Sequence, residues 1–404
     1  MKVTFLNHSC IRLEFSSGLD IICDPWFKSK VFNESWRLLS EESPRLSDLD
    51  DYTIIYISHE HPDHLNFPTL KQYFTNQRIL LRSDIRQEIP DTIAKIGLGF
   101  CSLRPNKIHH LPSGDQIGIF TFYGDSGIFA YDGKTRKSVF NFNDCEFSEE
   151  HMQQILSILP KNVSLVAGQF GLAGYYGNND QPEIFANAKR AKLARLFSIS
   201  HSLNADIVLP FASYAAFCKK HNSHINKFQT TLQEVKSALL TLPAKIWIPL
   251  PNTTIDLSHE ISQDHLNSVS GESYWSNLQR QSLKDLDRDD YMKLPDLLEV
   301  LDKTSQLCIM KSITIPSNIP KFHIGMIVED KPMPIELDLS TFSAILLPIG
   351  IDTHFQIPSD ELVYAFKYRW GADTLNITGS ASVKSLQSYR YFCQILDHIL
   401  KSIF

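Results

Sequence analysis

The stretch Ser58-His59-Glu60-His61-Pro62-Asp63-His64 closes an apolar, β-branched run, YTIIYIS, that begins at Tyr52. Three imidazoles and two carboxylates crowd into residues 59–64. A histidine-rich surface loop would be the plain alternative, but this cluster directly follows a buried strand and its spacing is regular. Imidazole and carboxylate are ligands for Zn, Fe or Mn, and the alternate positions His59 and His61 can face one ion while Asp63 and His64 address a second. Beyond the cluster, residues 67–74 have helical spacing with Pro68 in the first turn, so the ligand-like residues sit on a strand-to-helix loop.

Working outward, VTFL, CIRLEF and DIIC around the turn SSGLD have hairpin character, and RILLR, QIGIFTF, GIFAYD and SVFNFND read as further strands. Residues 148–159, 183–203 and 230–240 carry helical periodicity, with the strands DIVLPF and AKIWIPL after the last two. This pattern predicts a layered α/β unit over 1–260, sheets inside and helices outside. Residues 261–290 turn polar and charged and read as a helical connector. Residues 291–404 read as a small α+β domain with strands KFHIGMIV, PIELDL, SAILLPIGI and TLNITGSASV and helices over 358–367 and 387–404.

A formal charge of −6 leaves no excess of cations for a phosphate backbone, so nucleic acid is not an expected partner. The chain is 43% hydrophobic and 21% charged, which suits a folded core rather than disorder. Its seven cysteines are scattered singly, without a CxxC pair, and suggest reduced thiols rather than disulfides or a thiolate zinc site. No export signal is read at the N-terminus, and the longest apolar stretch, residues 343–351, is far shorter than the ~20 residues of a membrane-spanning helix. A soluble, cytoplasmic protein without a membrane span is expected.

The His-x-His-x-Asp-His pattern resembles the signature of the metallo-β-lactamase superfamily. That resemblance implies a four-layer αββα sandwich with two metals at one edge of its sheets. LNHSCIRLE, DPWF, ISHEHPDHL with FPTL, FNFNDC, LPFASY and IPLPNTTIDL, in that order, are similar to successive blocks of the CMP-N-acetylneuraminate hydroxylases, over about residues 1–260. By the resemblance Asp144 bridges the two metals; the other reading of Asp144 is a turn or a helix cap. Where the superfamily places a further histidine the pattern departs, since His109 and His110 come early. Asp125 is the better candidate, and it can equally shape a turn between two glycines. A last ligand comes from His221 or His224, His221 first. His8 reads as a strand histidine that could reach the site as a supporting donor. The expected metal set is therefore His59, His61, Asp63, His64, Asp125, Asp144 and His221, with Asp63 and His64 closest to the chemistry.

Two chemistries fit. Zinc or manganese would activate water against a lactone, ester, amide or phosphodiester. Two irons would activate O2, with electrons from a donor, for a hydroxylation or N-oxygenation, and the oxygen-rich ligand set and the hydroxylase resemblance favour this reading. The resembled hydroxylases carry a Rieske cluster that needs both a Cys-x-His and a Cys-x-x-His pair, and this chain has no Cys-x-His. A separate ferredoxin or Rieske-type reductase is then expected, with a small-molecule substrate other than sialic acid. A purely structural metal site is disfavoured because such sites are usually closed and contain cysteine. RWGADTLNITGSASV is also similar to sterol-carrier-like modules. The plainer reading of this C-terminal domain is a structural unit that completes the active-site wall or mediates dimerisation.

Overall fold

The computed structural model describes residues 1–46, 49–284 and 291–404. Two seven-stranded sheets face each other. One runs in the order Thr253–Asp256, Lys2–Asn7, Cys10–Glu14, Asp20–Cys23, Ile54–Tyr56, Arg78–Arg82, Phe100–Leu103, and the other Lys245–Ile246, Ile207–Phe211, Leu165–Gln169, Lys137–Asn143, Asp125–Asp132, Gln116–Phe122, Lys107–His110. Each sheet is half antiparallel and half parallel, and helical crossovers feed the parallel part except between Asp20–Cys23 and Ile54–Tyr56, where the described connection carries the strand Trp36–Leu38.

The period of two in the strands decides which side chains go where. Ile21, Cys23 and Tyr56 enter the core between the sheets, with Phe5, Ile119, Ile128 and Phe140. Their neighbours Ile22, Ile55 and Ile57 point the other way and are covered by Leu70 of the helix Phe67–Tyr73, by Phe74 that caps it, and by Ile89 and Ile93 of the helix Glu88–Lys95. On the far side, Met152, Leu196 and Val235 of the helices Glu149–Ile158, Pro182–Ser202 and Leu232–Leu239 belong to the core cluster that includes the second sheet. The result is an αββα sandwich.

The polar stretch after residue 260 forms the helices Gln263–Ser268 and Glu272–Ser282, and residues 285–290 of it lie outside the described residues. Leu266 and Trp275 are buried in the first core; Trp275 stacks on Tyr214 at 4.1 Å and donates its indole N–H to Pro249 O at 2.7 Å. A five-stranded sheet follows, in the order Ser343–Leu346, Lys331–Asp338, Phe322–Val328, Phe355–Pro358, Ser382–Val383, and packs on the helices Leu294–Met310, Ser359–Ala365, Gly371–Thr378 and Leu386–Ile403.

One expectation is corrected here. Only the end of TLNITGSASV, Ser382–Val383, is a strand: its first half lies in the helix Gly371–Thr378. The β-branched Thr374, Ile377 and Thr378 favour a strand locally, but Ala372 and Leu375 are drawn into the C-terminal core, and Thr374 returns its hydroxyl to Trp370 O. Gly379, at φ +64, then ends the helix in the left-handed conformation that glycine adopts without a Cβ penalty. The helix Leu294–Met310 and the two-stranded ribbon of Trp36–Leu38 with Ala215–Phe217 were not anticipated at all.

The two units are sewn together by polar contacts. Asn178 exchanges hydrogen bonds with the backbone of Val383, Tyr175 N–H donates to Asn376 O at 2.7 Å, and Asn222 Nδ2 donates to both Ser35 O and Thr378 O. No helix among the described residues is long and apolar enough to cross a membrane.

Candidate metal centre

Ligand-like residues gather at the carboxyl ends of the parallel strands, where both sheets leave an open edge. The strand Ile54–Tyr56 delivers the loop 58–64, and the loop is held from both sides. His64 N–H and Leu65 N–H donate to His61 O, and Asn66 donates Nδ2 to Pro62 O while accepting from Thr69 N–H as the N-cap of the next helix. The neighbouring strand ends at Cys23, which puts Asp24 beside the loop, and the strand Lys137–Asn143 delivers Asn143 and Asp144 from the other sheet.

Two groups of donor atoms result. In one, His59 Nε2 lies 2.9 Å from His61 Nδ1 and 3.9 Å from Asp125 Oδ1. In the other, His64 Nε2 lies 3.5 Å from Asp63 Oδ2 and 3.5 Å from Asp144 Oδ2, and His8 Nε2 lies 3.6 Å from Asp63 Oδ2. One ligand atom each from His59, His64 and Asp144 fits within 4.8 Å, so the two groups adjoin with Asp144 between them.

The donors suit metal ions better than each other. Two atoms bound at about 2.1 Å in a tetrahedron stand roughly 3.4 Å apart, close to the separations in the second group and longer than a good hydrogen bond. Asp63 Oδ1, His64 Nε2 and Asp144 Oδ1 are buried and lack a hydrogen-bond partner among the described residues. Such groups are costly to bury unless something satisfies them.

Electrostatics agree. Burial, helped by His64, lowers the pKa of His59 to about 4, so its imidazole is neutral and free to ligate. His61 is lowered in the same direction by burial and by His59. Burial also opposes charge on His64, yet Asp63, Asp144 and Asp24 outweigh it and raise its pKa, which is how a dense carboxylate cluster behaves when a proton stands in for a cation. Asp63 and Asp144 stay ionised despite burial because His64 faces both. Asp125 is raised, chiefly by burial.

Behind the donors stands a supporting layer that the sequence reading did not single out. Asp24, wholly buried, accepts from Ser58 N–H at 2.8 Å and from Asn143 Nδ2 at 2.8 Å, and its Oδ2 lies 3.1 Å from His64 Nδ1. This fixes the His64 ring so that Nε2 faces the cluster. Ser58 Oγ is 2.9 Å from His59 Nδ1 and does the same for that ring. Asp24, Asn143 and His8 sit at φ +43, +49 and +36, a left-handed backbone in three side-chain-bearing residues at one edge. Lys192 is buried against Gln169 and 3.1 Å from Glu146, and its charge also helps hold Asp144 ionised.

The structure brings His59, His61, Asp63, His64, Asp125 and Asp144 together and adds His8 to them. His221 is placed elsewhere: its Nε2 lies 3.8 Å from Asp330 Oδ1, beside the Lys220–Asp330 ion pair. His224 turns its ring toward Phe185 at 6.3 Å, and His109 lies against Arg104 O. Lys219, from the same segment, enters a buried ion cluster with Asp360 and Glu361. His8 was discernible as the histidine of NHS, but nothing local shows that the bend after Lys2–Asn7 carries it to Asp63.

Residues 2–149 match the family described as Beta-lactamase superfamily domain. The chain is 28% identical over 288 residues to cytidine monophosphate-N-acetylneuraminic acid hydroxylase of Cricetulus griseus, covering 64% of this chain and 48% of that protein. It thus spans about half the length of the curated relatives it matches. Among solved structures, a CmlA beta-hydroxylase mutant aligns at TM-score 0.39 and 16% identity over 52% of this chain and 46% of its own. An isothiocyanate hydrolase from Delia radicum gut bacteria aligns at TM-score 0.43 and 15% identity over 63% of this chain and 99% of its own.

Proposed function

We propose that this chain, whose residues 2–149 match the β-lactamase superfamily domain and which resembles the sialic-acid hydroxylases over 64% of its length, is a dinuclear metal oxygenase acting on a small molecule. His59, His61 and Asp125 would hold one ion, and Asp63, His64 and His8 the other, with Asp144 between them. When bound, two irons would supply O2 activation with electrons from an external donor, for which a ferredoxin or Rieske-type reductase is the fitting class.

The observation that carries the reading is the balance of donors. Asp63, Asp125 and Asp144 meet the imidazoles of His8, His59, His61 and His64 at one sheet edge, more oxygen-rich than an all-imidazole zinc site. The protein's own contribution is to hold neutral imidazole on His59 and ionised carboxylate on Asp63 and Asp144, and to aim His64 through Asp24. Asp63, next to the half-buried Pro62 and buried against His8, is the side chain best placed to take up or return a proton beside the metals.

Hydrolysis is the second reading, since the same donors would hold two zinc or manganese ions and lower the pKa of a bound water. Oxygen consumption separates the two. Protein loaded with iron and reduced anaerobically should take up O2 when mixed with aerated buffer. A protein that takes up none, yet cleaves lactones or phosphodiesters anaerobically, would be a hydrolase.

A further inference from the structure

A cavity of about 550 Å³ opens between the loop 58–64 and the C-terminal unit, with His61 in its lining. One wall is the segment 29–34, whose Phe32 sets its ring 5.8 Å from that of His61. The facing wall comes from the turn between the helices Ser359–Ala365 and Gly371–Thr378. There Tyr364 and Tyr368 lie 4.7 Å apart, and Tyr368 stacks on Trp370 at 5.7 Å and 11°. Tyr368 and Trp370 remain 40% and 43% exposed, unlike the fully buried Trp26, Trp247 and Trp275. Flat rings left uncovered on a concave surface offer stacking area at small entropic cost.

The charges at the mouth are arranged about these rings. Exposed Lys30 stands on the Phe32 wall and exposed Lys367 on the aromatic wall. The lining also holds Arg86, paired with Glu60, Lys401, paired with Asp397, and the carboxylates Glu34 and Asp373; among the described residues Lys367 has no ion-pair partner. Of the candidate metal donors, His61 lines the floor of the cavity, with aromatic faces along its side and Lys367 beside them.

On the reading of the floor as a catalytic metal centre, we infer that the C-terminal unit selects the substrate, and that the cavity takes a molecule with a flat aromatic body and an anionic terminus. The body stacks on Tyr368 and Trp370, the anion meets Lys367, and the remaining end is presented toward His61. The anion can be a carboxylate, sulfonate or phosphate, which share the charge that Lys367 reads.

The probes are 2-naphthoate and its neutral counterpart 2-naphthamide, titrated calorimetrically into the metal-loaded protein without reductant. Wild type should bind naphthoate about tenfold more tightly than naphthamide. Trp370→Ala should weaken both ligands, and Lys367→Met should bring the two affinities to within about threefold. Circular dichroism confirms that these surface variants remain folded. Equal affinities in wild type, binding of neither probe, or variants that change nothing would overturn the inference. Retention of the anion preference in Lys367→Met would also overturn it, since the carboxylate would then be held by something other than Lys367. Because no turnover is measured, a failure to consume O2 leaves this result intact, and a failure to bind naphthoate leaves the metal chemistry intact.

Discussion

Asp24 Oδ2 lies 3.1 Å from Nδ1 of His64, and both side chains are wholly buried. Because Asp24 also accepts from Ser58 N–H and Asn143 Nδ2, it ties the loop 58–64 of one sheet to the end of Lys137–Asn143 in the other. A single carboxylate therefore sets the orientation of an imidazole and the spacing of the two sheets at the edge where the donors meet.

Replacing Asp24 should act on metal binding through His64. Asp24→Asn keeps the size but weakens the grip on His64 Nδ1, and metal affinity should fall about 10–100-fold. Competition with a chromophoric chelator measures it. An unchanged affinity in a folded variant would detach Asp24 from the centre.

His8 and His221 should behave in opposite ways. His8 Nε2 faces Asp63, so His8→Ala should lower the metal content of purified protein. His221 stands by Asp330, and His221→Ala should leave metal content at the wild-type level. Elemental analysis of both variants, prepared side by side, decides between them.

A pH effect on stability is expected away from the metals. One lysine, Lys219, faces two buried carboxylates, and Asp360 holds it more closely than Glu361 does. Burial, partly offset by Lys219 and reinforced by Asp360, raises the Glu361 carboxyl to about 7. The folded protein keeps a proton there that the unfolded chain gives up near 4.5, so stability falls as pH rises from about 4.5 through about 7, by on the order of 3 kcal/mol in total. Glu361→Gln can still accept from Ser35 Oγ but cannot ionise. Its melting temperature should exceed that of wild type by more at pH 8 than at pH 5; a constant difference would contradict the assignment.

Trp275 tests whether the polar stretch after residue 260 is structural. Its ring is fully buried against Phe5 and Tyr214, so Trp275→Ala should cost about 3–5 kcal/mol in denaturant unfolding. A loss below about 1 kcal/mol would mark the helix Glu272–Ser282 as a dispensable linker.

What could be read in advance divides along physical lines. The continuous apolar runs DIIC and IIY marked buried strands, but not which face is inner, because both faces of these strands are covered by apolar layers. The ligand loop was legible because its donors are close in sequence. Asp24 was not, since an aspartate before a proline ordinarily marks a turn, and its tie to His64 spans forty residues of chain. The helix Gly371–Thr378 was misread because its local β-branched composition is overridden by burial of Ala372 and Leu375. The aromatic wall of Tyr364, Tyr368 and Trp370 has no signature of its own until the C-terminal unit is placed over the loop.

The most direct test is elemental analysis of protein expressed with added iron, read together with its optical spectrum before and after dithionite and again after air. Close to two irons per chain, with an absorption band that bleaches on reduction and returns with O2, is the predicted result. One ion or none per chain, or two zincs with a spectrum indifferent to O2, would contradict it.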